Sequence, residues 1–304
     1  MASAQLGYVP NSAARALRSQ STRLVGAIIP TLDHAIYAKM VDGIEETLSD
    51  AGMSLLINTS QYDLERERHQ ANILVSRGVE TVILVGSAHK PETTQLLKEA
   101  GIRQIHTYTT TVNGADAVIG FDNFAAGLTV VDFLSSLGHR HIAMIAGITR
   151  GNDRAAERRD GFLAGLEKIG SDPHVALVVE APYKIENGYH AMRSIMETRP
   201  RPTAVFCGSD ILAAGAAKYC TEQRIRIPDE VSIVGFDDLE IATLVEPALT
   251  TLHVPARRMG EQAAKIICDP ALASQDSIVT ELPIRLVVRG STGPAPAWPA
   301  DGPG

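Results

Sequence analysis

Polar and aromatic side chains that follow short apolar runs are the groups in this chain with chemistry to offer. Asp33 and His34 come after Leu24–Pro30, Tyr108 after Arg103–Thr107, and Asn152 and Arg154 after Ile142–Ala146, with Arg158 one turn further along. Tyr183 comes after Ala176–Glu180, Ser209 and Asp210 after Thr203–Phe206, and Asp237 and Asp238 after Ser232–Phe236. Carboxylates and a guanidinium exchange bidentate hydrogen bonds with hydroxyls, while an aromatic ring such as Tyr183 stacks on the C–H face of a sugar. Any one of these residues alone is better read as a helix cap or a solvated loop residue, Asp210 most of all. Their recurrence at one topological position in both halves of the chain favours a set that holds a sugar-sized polar ligand.

Catalysis finds no comparable support. The chain has no GxSxG, P-loop or HExxH motif and no GxGxxG after a strand, so an enzyme on a doubly wound fold is disfavoured. No cofactor and no metal are expected. In His139-Arg140-His141, alternation at the start of a strand sends the two imidazoles to opposite faces. Surface histidines fit that spacing better than a metal site.

The elements that must position these residues alternate in a regular rhythm. Leu24–Pro30, Leu55–Asn58, Thr81–Val85, Arg103–Thr107 and Ala117–Gly120 read as buried strands, separated by helices at Tyr37–Ala51, Asp63–Arg77 and Glu92–Ala100. Gly52, Gly78 and Gly101 close those helices. The pattern then restarts, with helices at Asn123–Leu137, Arg154–Ile169, Asn187–Glu197 and Ile211–Gln223 and strands at Ile142–Ala146, Ala176–Glu180, Thr203–Phe206 and Ser232–Phe236. A helix from Pro255 to about Ile267 and a strand at Ile284–Val288 complete it. Strands spaced by such helices imply βαβ units, so the expected fold is α/β, with two doubly wound parallel-sheet lobes and a ligand cleft between them. Residues 291–304, with four prolines and three glycines, read as a disordered tail.

Composition sets the outer bounds. A net charge of -7 rules out the body as a general nucleic-acid binder, and no run of 18 apolar residues exists to span a membrane. No secretory signal is visible, and Cys207, Cys220 and Cys268 form no CxxC pair, which fits reduced buried thiols in a cytoplasm. The basic residues cluster at the start, where Arg15, Arg18 and Arg23 precede the first acidic residue, Asp33.

That start has its own logic. Pro10 breaks what precedes it, Asn11 or Ser12 can cap a new helix, and Ala13-Ala14-Arg15-Ala16-Leu17-Arg18 has high helix propensity. A helix under about 12 residues is marginal in water, so it should form only against a partner. Arg15 and Arg18 share a face. One reading rests Leu17 on the body; the other sets the arginines against phosphates with Leu17 as a wedge in the minor groove. The motif Leu6-Gly7-Tyr8-x-Pro10-Asn11-x-x-Ala14-Arg15-x-Leu17-Arg18 resembles the junction between headpiece and core in the lactose-repressor (LacI/GalR) family of bacterial transcription regulators, and the resemblance runs to about Arg289.

The resemblance implies a periplasmic-binding-protein-like core that binds a small sugar-like effector and couples it to operator DNA through a hinge helix. Asn11, Ser12, Ala14, Arg15, Leu17 and Arg18 would carry the DNA contact. Arg158 matches the arginine of the family's Arg-x-x-Gly-Phe, Asp237 its effector-binding aspartate, Asp210 the aspartate of its Asn-Asp pair, with Ser209 in place of the asparagine, and Tyr183 its stacking aromatic. Phe236 lies in the near-consensus stretch Val231–Asp238, and Tyr37 in His34-Ala35-Ile36-Tyr37, which replaces the usual Asn-Pro-Phe-Phe/Tyr. Tyr108 stands where relatives often carry an acid, so the pocket should differ from that of common sugar-binding members. The implied organisation is a headpiece remnant and hinge at 1–22, one lobe from 23–120 plus 255–283, and another from 121–254 plus 284–290. A homodimer or tetramer in the cytoplasm is implied, with no membrane partner. The family's helix-turn-helix headpiece is not in the sequence, so good effector binding and poor DNA binding are expected. The rival from another class is a periplasmic-type solute-binding protein serving a sugar transporter.

Overall fold

The computed structural model describes residues 21–171, 177–273, 275 and 277–296. The residues assigned above to the DNA contact, Asn11, Ser12, Ala14, Arg15, Leu17 and Arg18, lie outside them. The chain divides into two compact units: the first runs up to Gly120 and resumes over Ala256–Glu281, and the second comprises Phe121–Pro255 and continues from Leu282.

In the first unit the strands are β1 (Leu24–Ile29), β2 (Ser54–Thr59), β3 (Thr81–Val85), β4 (Arg103–Thr107), β5 (Ala117–Gly120) and β11 (Ile278–Glu281), with helices α1 (Ala35–Asp50), α2 (Leu64–Ser76), α3 (Pro91–Glu99), α9 (Ala256–Cys268) and the short α10 (Pro270–Ala273). The strands lie in the order β11-β5-β4-β3-β1-β2, every pair parallel. Runs such as Thr81–Val85 are buried at every position because helices cover both faces of a parallel sheet. Ile28, Leu74, Val82, Leu84 and Leu97 pack into one core on this plan.

The second unit repeats it. Strands β6 (Ile142–Gly147), β7 (Val178–Ala181), β8 (Ala204–Cys207), β9 (Ser232–Asp237), β10 (Thr250–His253) and β12 (Arg285–Val287) alternate with α4 (Asn123–Ser136), α5 (Asp153–Lys168), α6 (Ile185–Met196), α7 (Asp210–Glu222) and the single-turn α8 (Ile241–Leu244). Their order is β12-β10-β9-β8-β6-β7, parallel except for β12 against β10. Helix α4 packs on α5 through two glycines: a Cβ on Gly127 would run into the Arg158 carbonyl, and one on Gly161 into the Phe124 carbonyl. Each mid-helix glycine costs about 1 kcal/mol of propensity, which the close backbone approach offsets.

Three expectations change. β10 and β11 were not expected as strands: Thr250–His253 and Ile278–Glu281 fall outside the strand-and-helix alternation by which the others were read. His139 is not a surface histidine but fully buried, with Nδ1 2.9 Å from Thr203 Oγ1 and Nε2 3.1 Å from both Ser232 Oγ and the Gly293 carbonyl. The start of the supposed disordered tail is held, since Ser291 Oγ donates to the Ile233 carbonyl and the Ala295 N–H to the Leu137 carbonyl. Proline-rich composition says nothing of the backbone partners that an adjacent sheet edge offers. Cys207 and Cys220 are buried thiols, whereas Cys268 is only half-buried. Among the described residues no helix is long and apolar enough to cross a membrane.

Candidate ligand-binding edges

In the second unit the loops leaving the carboxyl ends of β6, β7, β8 and β9 carry most of the candidate residues, the position where open α/β sheets bind ligands. Asn152 caps α5, its Oδ1 accepting from the Ala155 N–H at 3.4 Å, and is buried. Arg154, in the first turn, donates to Asp153 at 2.7 Å. Arg158, only 7% exposed, donates through Nη1 to the Gly208 carbonyl at 2.7 Å and through Nη2 to Asn123 Oδ1 at 2.8 Å. Its guanidinium carbon lies 3.5 Å from the centre of the Phe236 ring. A desolvated cation over an aromatic face is worth about 2 kcal/mol. Tyr183 lies against Gly147, where any Cβ would collide with its ring and hydroxyl.

The β8 and β9 loops interlock. Ser209 is the residue that caps α7, accepting from the Leu212 N–H at 3.4 Å. Asp210, expected as that cap or as a ligand contact, instead is fully buried and accepts from the Leu239 N–H at 2.7 Å and the Thr251 hydroxyl at 2.6 Å. Burial pushes its carboxyl up to about 7, against the lowering pull of those two bonds. Phe236 is likewise buried, with its ring face against the Arg158 guanidinium. Asp237 is partly exposed at the end of β9, with a left-handed φ of 104°, followed by Asp238 at 55°. Such conformations cost of order 1–3 kcal/mol each in non-glycine residues and cluster at ligand sites.

The first unit offers aromatic groups at the equivalent edge. Asp33 is exposed beside His34, which occupies the N-terminal cap position of α1. The Tyr62 hydroxyl lies 3.3 Å from His34 Nδ1 and 3.3 Å from the Tyr37 hydroxyl. Tyr37 and Tyr108 meet edge-on with ring centroids 5.5 Å apart, and the Tyr108 hydroxyl donates to the Ile36 carbonyl at 3.0 Å. In the same unit, His89 Nδ1 is 2.8 Å from buried Glu67, and the His89 and His106 rings are 4.6 Å apart.

Sequence reasoning missed Tyr62, Glu67, His89 and Asn123. Tyr62 follows β2 and His89 follows β3, so the strand-end rule that found Tyr108 finds both once applied to every strand. Asn123, three residues after β5, is found by the same rule, whereas Glu67 sits inside a helix and carries no such signal. Among the described residues no group of three or more His, Cys, Asp or Glu is arranged to hold a metal.

Comparison with known proteins gives a consistent set. A periplasmic binding protein-like domain matches residues 131–292. The HTH-type transcriptional repressor PurR of Serratia proteamaculans is 30% identical over 96% of this chain and 86% of that protein. A LacI family transcriptional regulator from Silicibacter pomeroyi has a similar solved structure, with a TM-score of 0.85 at 26% identity, covering 95% of this chain and 88% of that one. The transcriptional regulator CelR in complex with cellobiose matches with a TM-score of 0.79 at 26% identity and the same coverage.

Proposed function

Because the chain belongs to the LacI family of transcriptional regulators, we propose that it binds a sugar or sugar acid at the strand ends of its second unit and couples that binding to operator affinity. The observation that carries this reading is Arg158, a guanidinium fixed by Gly208, Asn123 and the Phe236 ring beside the loop of Asp237. A cation anchored on neutral partners keeps its charge and stays preorganised for a polar ligand, while Asp237 supplies an acceptor and Tyr183 a flat face. Arg154, Asn152 and Ser209 line the same edge, and Asp210 with Phe236 support it from beneath. In the first unit Tyr37, Tyr108, His34 and Asp33 form a second candidate contact set. A sugar as ligand agrees with the cellobiose named for CelR.

On the DNA side, Asn11 or Ser12 would cap a short helix in which Arg15 and Arg18 meet phosphates and Leu17 enters the minor groove, Ala14 allowing close approach. A homodimer in the cytoplasm would present two such helices, and effector occupancy would alter their joint grip on an operator.

A thermal-shift screen against sugars, sugar acids and purines tests the effector reading. A ligand at 100 times its Kd stabilises the fold by about 2.7 kcal/mol, a clear rise in Tm. A sugar hit that disappears in Arg158→Ala and in Asp237→Ala supports the site. A hit that survives both substitutions sinks it.

A further inference from the structure

Asp237 and Asp238 are consecutive non-glycine residues in left-handed backbone, an arrangement that persists only where surrounding groups over-determine it. We propose that Arg289 and His253 are positioning residues for Asp237: gripping the Asp238 carboxylate from two sides, they hold the turn that presents the Asp237 carboxylate to the effector. This rests on the effector reading of Asp237 given above.

The grip is built from three places in the chain. Asp238 Oδ1 accepts from Arg289 Nη2 at 2.6 Å, and Oδ2 lies 3.0 Å from His253 Nδ1. His253 is the register partner of Asp237 across the β9–β10 pair, so strand pairing itself brings the imidazole beside the next residue. Arg289 is fixed independently of the carboxylate: Nη1 donates to the Leu249 carbonyl at 2.9 Å, and its backbone N–H donates to Thr250 Oγ1 at 2.9 Å. Burial raises the Asp238 carboxyl, but the bonds from Arg289 and His253 outweigh it and hold the group below its usual range, as a working ion-pair clamp requires.

The inner side of the turn is secured separately. The Leu239 N–H donates to Asp210, and the Asp238 N–H lies 3.4 Å from Thr251 Oγ1. Every one of these anchors falls on Asp238 or Leu239, the two residues after the one that would meet ligand. The clamp therefore acts on the two residues that follow Asp237 and through them sets its direction. The side chains of Asp238, Arg289 and His253 are 15%, 21% and 36% exposed. The pair is mostly buried, so Arg289→Ala also costs stability, and loss of positioning is told from loss of fold by where protection is lost and by rescue with lysine.

Backbone amide hydrogen exchange in the full chain without ligand tests this. Arg289→Ala should accelerate exchange at the Asp238 and Leu239 amides by about tenfold or more while the β6 and β8 amides keep their protection. Arg289→Lys should restore most of it, and His253→Ala should act in the same direction with a smaller effect. Unchanged exchange at Asp238 and Leu239 in Arg289→Ala, or a loss spread evenly over the second unit and not rescued by lysine, overturns the proposal. Should Arg289→Ala fail to fold, His253→Ala alone decides it by the same criterion. The readout needs no effector, so failure of the clamp and failure of Asp237 as a ligand group are seen in different experiments.

Discussion

At the strand ends of the second unit the guanidinium of Arg158 and the carboxyl of Asp210 are buried and held by backbone and neutral side-chain partners; at those of the first, Tyr37, Tyr62 and His34 meet through hydroxyls and Tyr108 packs edge-on against Tyr37. Both edges sit on the same six-stranded plan, and in both the loop after a strand does the presenting. On the proposed reading, Asn152, Arg158 and Asp237 would fix the orientation of a polar molecule because each has a defined hydrogen-bonding direction, while buried Asp210 braces the loop beneath them. Tyr37, Tyr62, Tyr108 and His34 offer faces and hydroxyls that tolerate more than one ligand. The fold supplies the location, and the side chains decide how strictly it discriminates. The charged edge should therefore dominate affinity and stability, and the aromatic edge should tune specificity.

The sharpest way to probe the charged edge is Asp210. Its folded-state affinity for a proton is raised from 3.8 to about 7, so between these values the folded protein holds a proton that the unfolded chain releases. Stability from this group is present below pH 4 and is lost as pH rises through 7, by about 4 kcal/mol in all. Asp210→Asn should flatten that slope in Tm measured from pH 4 to 8. His139 works in the opposite sense: burial lowers its proton affinity, so stability drops as pH falls below 6.5. A slope that stays in Asp210→Asn and vanishes in His139→Gln would mean that the buried histidine ahead of β6, not the carboxyl beneath the β9 loop, sets the pH response. Next in size is Arg158→Ala, which removes the guanidinium that donates to the Gly208 and Asn123 oxygens in a buried site and covers the Phe236 ring. The loss should be about 3 kcal/mol by denaturant unfolding, with the fold retained and sugar binding abolished.

How much of this was legible beforehand depends on what kind of signal each residue carries. Strand-and-helix alternation, strong in Thr81–Val85 and Ile142–Gly147, made the two mainly parallel sheets readable, and it placed Asp237 at a strand end and Arg158 one turn into the helix after β6. Asp210 was found but misjudged: its type and position suit a cap, and only tertiary packing beneath β9 shows that its oxygens go to Leu239 and Thr251. His139 was misjudged for the same reason, because its partners Ser232 and Gly293 are distant in sequence. The His253–Asp238–Arg289 clamp joins residues up to 51 apart, and no local pattern announces it. Local periodicity encodes elements; long-range hydrogen bonds must be seen.

The comparison between edges predicts its smallest effects in the first unit. Tyr108→Phe removes one hydroxyl that donates to the Ile36 carbonyl, leaving the ring and its contact with Tyr37 in place. The expected loss is about 1 kcal/mol, since a single neutral hydrogen bond is worth that much net. Asp33→Ala, at an exposed loop position, should stay within about 0.5 kcal/mol. Neither should shift the pH slope set by Asp210, and Tyr108→Phe should change the ranking of sugars in the screen more than it changes the fold. If Tyr108→Phe instead cost as much stability as Arg158→Ala, the aromatic edge would be a structural brace. The division between an edge that orients and an edge that discriminates would then fail, because a group fixed that strongly into the core has no freedom to adapt to a ligand.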